Sequence, residues 1–452
     1  MKKMKKLIIL LILGITIQSC QKEFEFHNDT TENAAFHAPE AYPGIILGMT
    51  KTFTTNSLYR IIHGPGLTAR EFANMSTYTT EPDLVTGGPQ LTGDNASFSS
   101  MWSSLHRSRG IAEKILTYID DVEFHDADKV AAYKAYAKFF KAMTTGYMAQ
   151  YWEKVTLKND PDNKAEFVSR TNALNEAIRL LDEAKSELTA HPGASSIIDN
   201  LVSFEFSFEN VINAFKARYE IELGNYQEAY NAADAVDLTA RSVWSYDGGS
   251  IKNPIYANMV DPGATLHILP IDSLGLQGTK IPELGDMRND FYLDYVPLLN
   301  SDGDIPVDKV EGFGRLEADP IPVYLPGEML LIKAEAKARM GGANLADAVV
   351  LLNEVRTKTT DVFNVNAGLA AWTGNATDQT AVLDEIYKNY AIELFMQGQR
   401  WPIHRRFYPN YLDNVDWTNM SLRKGLERKN NFYPYPDSER ANNPNCPADP
   451  AY

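Results

Sequence analysis

The stretch FKARYEIELGNYQEA, residues 215–229, has a later counterpart in KAEAKARMGGANLADAVVLLNEV, residues 333–355. In each stretch a helix of small residues ends at a glycine, Gly224 or Gly341, and a second helix begins around an acidic residue beside an alanine. Small side chains allow the two helices of such a pair to approach closely. The two stretches therefore predict two helix hairpins.

These hairpins resemble tetratricopeptide repeats, in which pairs of helices stack on their neighbours. The second copy has two extra residues at its turn, and chance similarity between alanine-rich helices is the alternative. Apolar residues at helical spacing predict further helices at 98–119, 128–152, 171–188 and 380–396. We therefore expect a mostly α fold in which tetratricopeptide-like helix hairpins form the scaffold.

Two segments are rich in turn-forming residues and predict a loop-rich face on this scaffold. Residues 39–95 contain a short helical pattern near 45–58, and their Gly64-Pro65-Gly66 predicts a turn. Residues 237–326 interrupt the two hairpins with little helical periodicity, which predicts a functional insertion or a small subdomain of loops and short strands.

Aromatic residues outside the helical pattern are the candidate ligand-binding residues. They are Trp244, Tyr246 and Tyr292 in the insertion and Tyr78 in the N-terminal loops. Trp244 is the first choice because its neighbourhood offers two rings, a carboxylate and a glycine pair. The alternative is that these rings form a hydrophobic cluster under the loops. Trp102 and Trp401 fit helical or helix-end patterns and are predicted to be core residues.

The N-terminal residues predict export. Lysines at positions 2, 3, 5 and 6 precede an apolar run at 7–17 that spans about 17 Å as a helix, roughly half of a ~30 Å hydrocarbon core. Ile17-Gln18-Ser19-Cys20 resembles a bacterial lipobox, so we predict a lipoprotein signal peptide at 1–19 and lipid attachment at Cys20. An ordinary signal peptide with an incidental cysteine is the alternative. Residues 20–38 are polar and predict a flexible tether.

The amino-acid composition limits which partners are expected and which interactions can stabilise the fold. The chain has 452 residues, of which 44% are hydrophobic, and a formal net charge of -16, which disfavours nucleic acid and anionic membrane surfaces as partners. If Cys20 carries lipid, Cys446 is the one remaining thiol. No intramolecular disulfide is then available, and stability must come from packing.

No sequence pattern indicates catalysis. The chain lacks a His-Glu-x-x-His pair, a Gly-x-Ser-x-Gly elbow and a phosphate-binding Gly-Lys-Ser/Thr loop. Asp302, Asp304 and Asp308 are interpreted as a solvated acidic turn, since Pro306 stands where a calcium loop needs an oxygen ligand. We expect a protein that is not an enzyme and that has no cofactor and no metal site.

Four stretches together resemble the SusD/RagB family of nutrient-binding outer-membrane lipoproteins of Bacteroidetes. They are WSSLHRSRGIAEKIL at 102–116, AKFFKAMTTGYMAQY at 137–151, the group formed by 328–336, 352–356 and 386–406, and NFYPYPDSE at 431–439. Their order and spacing identify one SusD-like domain over 39–452, with the insertion 237–326 within it. The chain departs from the family pattern at Asn389, Gln397 and Ile403, where the family commonly has Glu, Glu and Asp.

The resemblance implies a function and several residue roles. It implies a lipid-anchored protein on the outer face of the outer membrane that captures a glycan or an oligopeptide. It also implies that the protein is the lid of a SusC/RagA-type TonB-dependent transporter. A periplasmic lipoprotein scaffold that binds proteins through its helical repeats, with no small ligand, is the alternative. Glu393 and Arg400 are interpreted as structural charges that hold the last helix against the insertion, and Gly398 as a position of close backbone packing.

Overall fold

The computed structural model describes residues 32–76, 80–203, 205–263, 267–409 and 430–451, and most of these residues are helical. The helices are α1 (Glu32–Phe36), α2 (Tyr42–Thr52), α3 (Leu58–Thr68), α4 (Thr80–Thr86), α5 (Ala96–Tyr118), α6 (Ala127–Tyr151), α7 (Arg170–Ala190), α8 (Ala194–Val202), α9 (Phe208–Leu223), α10 (Tyr226–Asp234), α11 (Met287–Tyr292), α12 (Pro326–Met340), α13 (Asn344–Thr357), α14 (Gln379–Glu393), α15 (Arg400–Phe407) and α16 (Asp437–Asn442). The mostly α fold predicted from the sequence is confirmed. The predicted signal peptide and Cys20 lie outside the described residues.

The strands are short and pair in antiparallel twos. They are β1 (Phe72–Asn74), β2 (Lys154–Thr156), β3 (Phe167–Ser169), β4 (Val243–Trp244), β5 (Ile268–Pro270), β6 (Leu293–Leu299), β7 (Pro306–Val310) and β8 (Ile321–Pro322). The pairs are β1 with β5, β2 with β3, β4 with β8, and β6 with β7. All but one of these pairs include strands of the insertion, which therefore consists of loops and short strands around helix α11.

The two hairpins predicted from the repeat are formed by α9 with α10 and by α12 with α13. Helix α9 ends at Gly224 with φ +81°, and α12 ends at Gly341 with φ +69°. Glycine adopts these left-handed angles without the steric cost that other residues meet. Helix α10 also packs against α12, which joins the two hairpins into one layer. The tetratricopeptide-like scaffold is confirmed.

The long helices α5, α6 and α7 begin at capped positions and pack side by side. Asn95, Asp126 and Ser169 each accept hydrogen bonds from backbone N–H groups in the first turn of the helix that follows. Helix α6 packs against α5 and α7 and is buried along its C-terminal half. At Gly146 a Cβ atom would lie 2.1 Å from the ring of Tyr219, so this glycine lets α9 approach α6.

The N-terminal segments are more helical than the sequence indicated. A π-helix over Phe53–Ser57 joins α2 to α3, and α3 includes Gly64-Pro65-Gly66. The prediction of a turn at these three residues is wrong. A Cβ at Gly66 would lie 2.3 Å from the ring of Phe72, so tertiary packing of α3 on this ring outweighs the local turn preference. Helix α1 lies within the predicted tether, and its buried Phe36 packs against Tyr118 with ring centroids 5.7 Å apart.

Buried charges fasten the insertion to α14. Arg288 donates to Asp286 through Nε and Nη2, at 2.9 and 2.7 Å, and to Glu393 Oε2 through Nη1 at 3.1 Å. Lys358 Nζ donates to the other oxygen of Glu393 at 2.7 Å. Because Glu393 is fully buried, both cations are needed to offset the cost of removing its charge from water.

Arg400 and Gly398 hold the turn after α14. The Arg400 guanidinium donates to the carbonyls of Leu274 and Ala391, both at 2.6 Å, and its Nε lies 3.5 Å from Glu71 Oε1. Arg400 and Glu393 therefore do not pair with each other; each contacts groups of the insertion. Gly398 has φ +71°, and a Cβ there would lie 2.7 Å from both Cγ2 and the carbonyl oxygen of Ile61.

The C-terminal segment after residue 430 crosses the core. Tyr433 N donates to the Tyr151 carbonyl at 2.9 Å, and Trp152 Nε1 donates to the Pro434 carbonyl at 3.0 Å. The Tyr433 ring stacks on Phe98 with centroids 5.2 Å apart. This last part of the chain is therefore built into the N-terminal half of the fold.

We expect Gly398→Ala to lower the free energy of unfolding by about 2 to 5 kcal/mol, because left-handed strain and overpacking against Ile61 act together. Gly278→Ala is the matched control, since Gly278 has φ +57° but no atom within 4 Å of its Cβ position. Urea unfolding of both variants measures the difference. An equal loss in the two variants would show that contact with Ile61 contributes nothing.

The ion pairs of the Glu283 carboxylate are expected to stabilise the fold in a pH-dependent way. Its carboxylate accepts from Arg356 Nη1 at 2.7 Å and from Lys388 Nζ at 3.0 Å. The hydrogen bond from Arg356 is the main cause that lowers the pKa of Glu283 to about 2. Because the folded pKa lies below the unfolded value of about 4.3, the stabilisation is complete above that value and is lost as the pH falls towards 2.

We therefore expect Glu283→Gln to be less stable than wild type at pH 7, by about 1 kcal/mol or less because the side chain is 40% exposed. The difference should shrink as the pH is lowered from 5 to 3. Urea titrations of both proteins across this range measure it. A difference that stays constant with pH would contradict the assigned ionisation.

Candidate functional site

A polar cleft of about 370 Å³ lies where α5, the loop after β2 and α16 meet. Its lining consists of Trp102, Ser103, His106, Thr156, Lys158, Asn159, Asp160, Asn163, Ala165, Ser438, Glu439, Asn442 and Asn443. Four of these residues carry side-chain amides, three carry hydroxyls and three carry charges. The cleft therefore offers both hydrogen-bond donors and acceptors beside an aromatic ring.

Arg109 fixes the loop that forms one wall of the cleft. Its fully buried guanidinium donates to the Thr156 carbonyl, to Thr156 Oγ1 at 2.8 Å and to Asn159 Oδ1 at 2.9 Å. Burial lowers the pKa of Arg109 to about 10, which still leaves the guanidinium charged at neutral pH. Five N–H groups in a rigid plane allow one side chain to hold both ends of this loop segment.

The amide of Asn159 is held in one orientation. Its Nδ2 donates to the His106 carbonyl at 2.8 Å, and its backbone N–H donates to Glu113 Oε2 at 3.0 Å. Gly110 provides the space, because a Cβ there would lie 2.8 Å from Asn159 Nδ2. The position of this cleft residue therefore depends on the absence of a side chain one turn away on α5.

His106 is a neutral side chain in the cleft wall. Burial and the nearby Arg109 lower its pKa to about 3. Both Nη2 protons of Arg109 are used on Thr156 and Asn159, so the His106 Nδ1–H donates to Asn159 Oδ1, at 2.8 Å. This tautomer leaves Nε2 as an acceptor, and Nε2 has no hydrogen-bond partner among the described residues.

Trp102 contributes both to the core and to the cleft. It is 3% exposed, packs edge-to-face on Trp152 and stacks on Phe167 with ring centroids 6.1 Å apart. Its Nε1–H donates to Glu439 Oε2 at 3.2 Å, which ties α5 to α16. The sequence prediction of Trp102 as a core residue describes its burial but did not identify its place at the edge of a cleft.

The structure places Trp244 and Tyr246 apart from this cleft. Trp244 is 3% exposed, packs against Phe53 and Phe206 at centroid distances of 5.7 and 5.6 Å, and lines a second cavity of about 320 Å³. The Tyr246 hydroxyl donates to the Thr54 carbonyl at 3.2 Å. Both rings belong to the main hydrophobic cluster, which is closer to the alternative that they pack under the loops than to exposed ligand-binding positions.

Tyr292 does not reach either cavity. It is fully buried, its hydroxyl donates to the Glu393 carbonyl at 2.7 Å, and its ring packs against Phe395. With its ring and its hydroxyl both used inside the protein, Tyr292 has no surface for a ligand. Tyr78 lies outside the described residues. The residues predicted to be structural, Glu393, Gly398 and Arg400, line neither cavity.

The described residues were also compared with the requirements of a metal site and of a membrane-spanning helix. Within these ranges, no group of three or more His, Cys, Asp and Glu side chains is arranged to bind a metal ion. Asp302 and Asp304 are exposed, but Asp308 is buried and accepts from the Val296 N–H at 3.3 Å, so the interpretation of a solvated acidic turn is wrong for Asp308. None of the described helices combines the length and the apolar character that a membrane span requires.

Comparisons with known proteins agree with this architecture. The SusD family model matches residues 316–452. A SusD superfamily protein from Bacteroides vulgatus is 13% identical, with 92% of this chain and 100% of that chain covered and a TM-score of 0.69. A SusD-like carbohydrate-binding protein from Bacteroides fragilis is 15% identical, with 91% and 100% covered and a TM-score of 0.67.

A laminarin-binding SusD-like protein is 15% identical, with 92% of this chain and 99% of that chain covered and a TM-score of 0.64. No curated protein matches the chain by sequence. At these identities the structural neighbours show the fold, and the family model adds a sequence match over the C-terminal part. The chain therefore has a SusD-like fold over about nine-tenths of its length, and its residues 316–452 match the SusD family model.

Proposed function

We propose that the protein is a surface lipoprotein that binds a glycan in the polar cleft and delivers it to a TonB-dependent transporter. The observation that carries this proposal is the lining of the cleft, where amides, hydroxyls and charged groups surround the edge of Trp102. Sugar hydroxyls both donate and accept hydrogen bonds, and the apolar faces of sugar rings pack on aromatic side chains. The cleft supplies hydrogen-bond partners of both kinds, and the edge of the largely buried Trp102 ring adds a small apolar contact.

The chemistry of the lining favours a glycan over an oligopeptide. Lys158 supplies donors, Asp160 supplies an acceptor, and Ser438 and Asn442 supply both. A peptide side chain of apolar type would meet a wall in which Trp102 and Ala165 are the apolar residues. A volume of about 370 Å³ lies in the range that small-molecule sites occupy, and it suits one or two sugar units at a time.

Two of the SusD-like neighbours support the same ligand class. One is described as carbohydrate-binding and another as laminarin-binding. Both have the same overall fold as this chain. Rigid helices can present a binding surface without the entropy cost of ordering it.

The proposed location and partner rest on the N-terminal sequence and on the family. The signal-like residues 1–19 and Cys20 would attach the protein to the outer membrane through lipid. A SusC/RagA-type transporter would receive the glycan, with this protein as its lid. The formal charge of -16 is consistent with an uncharged glycan and not with an anionic polymer as the cargo.

We expect Ser103→Phe to weaken glycan binding at least about tenfold, because an aromatic side chain from this exposed position of α5 would fill the cleft. Gly48→Phe, which lines the second cavity, is the matched control and should bind the glycan as wild type does. Calorimetry against laminarin, other neutral glycans and oligopeptides measures both. Equal glycan affinity for wild type and Ser103→Phe would reject the cleft as the site, and peptide binding alone would reject the ligand class.

The transporter proposal predicts a stable membrane complex. Mild detergent extraction should recover this protein with a TonB-dependent barrel in about equal amounts, and Cys20→Ala should release the protein from the outer membrane. Recovery with periplasmic proteins alone would support the scaffold alternative. Outer-membrane retention of Cys20→Ala, with acyl chains still attached, would contradict lipid attachment at this cysteine.

A further inference from the structure

The cavity beside Trp244 differs in chemistry from the polar cleft. It lies between α2, the π-helix, the end of α8 and strand β4, and has a volume of about 320 Å³. Its walls are mainly the apolar side chains of Leu47, Val202, Trp244 and Ile251. π-helices inside longer helices often occur at functional sites, because the extra residue reshapes the helix surface.

Most hydroxyl groups around this cavity are already bonded within the protein. Thr50 Oγ1 donates to the Ile46 carbonyl at 2.9 Å, and Thr54 Oγ1 donates to the Lys51 carbonyl at 3.3 Å. Ser245 Oγ lies 2.9 Å from Ser203 Oγ. A ligand rich in hydroxyl groups would therefore find few free partners here.

Two donors at the cavity are not satisfied in the same way. The indole N–H of Trp244 has no hydrogen bond to any described residue, and the Lys51 ammonium has no described carboxylate within ion-pair distance, although it interacts electrostatically with Asp247. The nearby Asp247 is bonded by the N–H groups of Gly249 and Ile251 and by Ser250 Oγ. The polar groups at the cavity that have no hydrogen-bond partner are thus donors, one neutral and one positively charged, while the Asp247 oxygens are occupied by hydrogen bonds within their own turn.

We propose that this cavity binds a small organic acid with an apolar body. The apolar body would lie against Leu47, Val202 and Ile251, and the carboxylate, which only accepts hydrogen bonds, would face Lys51 and the indole N–H. The Trp244 ring is already fixed by Phe53 and Phe206, so the site exists before the ligand arrives. This site is separate from the proposed glycan cleft and does not depend on it.

The test uses 3-phenylpropionate and its uncharged amide as a matched pair of probes. In protein labelled with 5-fluorotryptophan, the fluorine resonance of Trp244 is assigned by its loss in Trp244→Phe. We expect 3-phenylpropionate to shift this resonance and not that of Trp102, with about millimolar affinity for a ligand of this size. The amide should bind more weakly.

Variants then separate the charge from the cavity itself. Lys51→Met should weaken the carboxylate about fivefold and leave the amide unchanged, since a partly exposed ion pair contributes about 1 kcal/mol. Gly48→Phe should remove both probes, because a side chain there would extend into open space in the cavity. Ser103→Phe is the control and should bind both probes as wild type does.

Three outcomes would overturn the proposal. They are equal affinity for the acid and the amide, an unchanged carboxylate affinity in Lys51→Met, and no shift of the Trp244 resonance at about 20 mM probe, well above the expected dissociation constant. Because Lys51 is an exposed helix residue, Lys51→Met tests the role of the charge without a change in the packing around the cavity. Glycan titrations of the same samples report on the cleft separately, through Trp102.

Discussion

The arrangement of the insertion depends on the buried ion pairs that the Glu393 carboxylate forms with two cations. A carboxylate without access to water must be paired, and its two cations come from different parts of the chain, Arg288 in the insertion and Lys358 after the second hairpin. Loss of either cation would leave an uncompensated charge in the core. The need to pair this buried charge therefore holds the insertion to the scaffold. The Tyr292 hydroxyl, which also belongs to the insertion, donates to the backbone carbonyl of Glu393.

The parts of the fold that were predictable are those whose signals are local. Gly224 and Gly341 end their helices through their own backbone angles, so the two hairpins could be identified from the sequence. Gly64-Pro65-Gly66 has an equally local turn signal, but Phe72 packs against Gly66, and the hydroxyl of Tyr433 would lie 3.3 Å from a Cβ at Gly64. A contact with a residue more than three hundred positions away leaves no local pattern in the sequence.

Contacts between distant parts of the sequence also explain why the candidate binding sites could not be predicted correctly. Trp244 could be singled out because it stands in an aperiodic segment, but a lack of helical periodicity did not mean that the side chain is exposed. Its ring packs against Phe140 of α6 and against Phe53 of the π-helix that follows α2. The polar cleft was missed because its residues come from three distant segments, each of which is an ordinary polar stretch by itself. Asn159 in particular is positioned by Arg109 and by the missing side chain at Gly110, which only the folded structure brings together.

The C-terminal segment that crosses the core has a consequence for the order of folding. Tyr433 fills space between Phe98 and Trp401, and the Pro434 carbonyl accepts from Trp152, so the N-terminal half cannot complete its packing until the last part of the chain has arrived. Contacts over such sequence separations form late and slow the search for the native state. A chain exported from its N-terminus would thus remain incompletely folded throughout translocation, in the form that a secretion channel accepts, and would close its core after release.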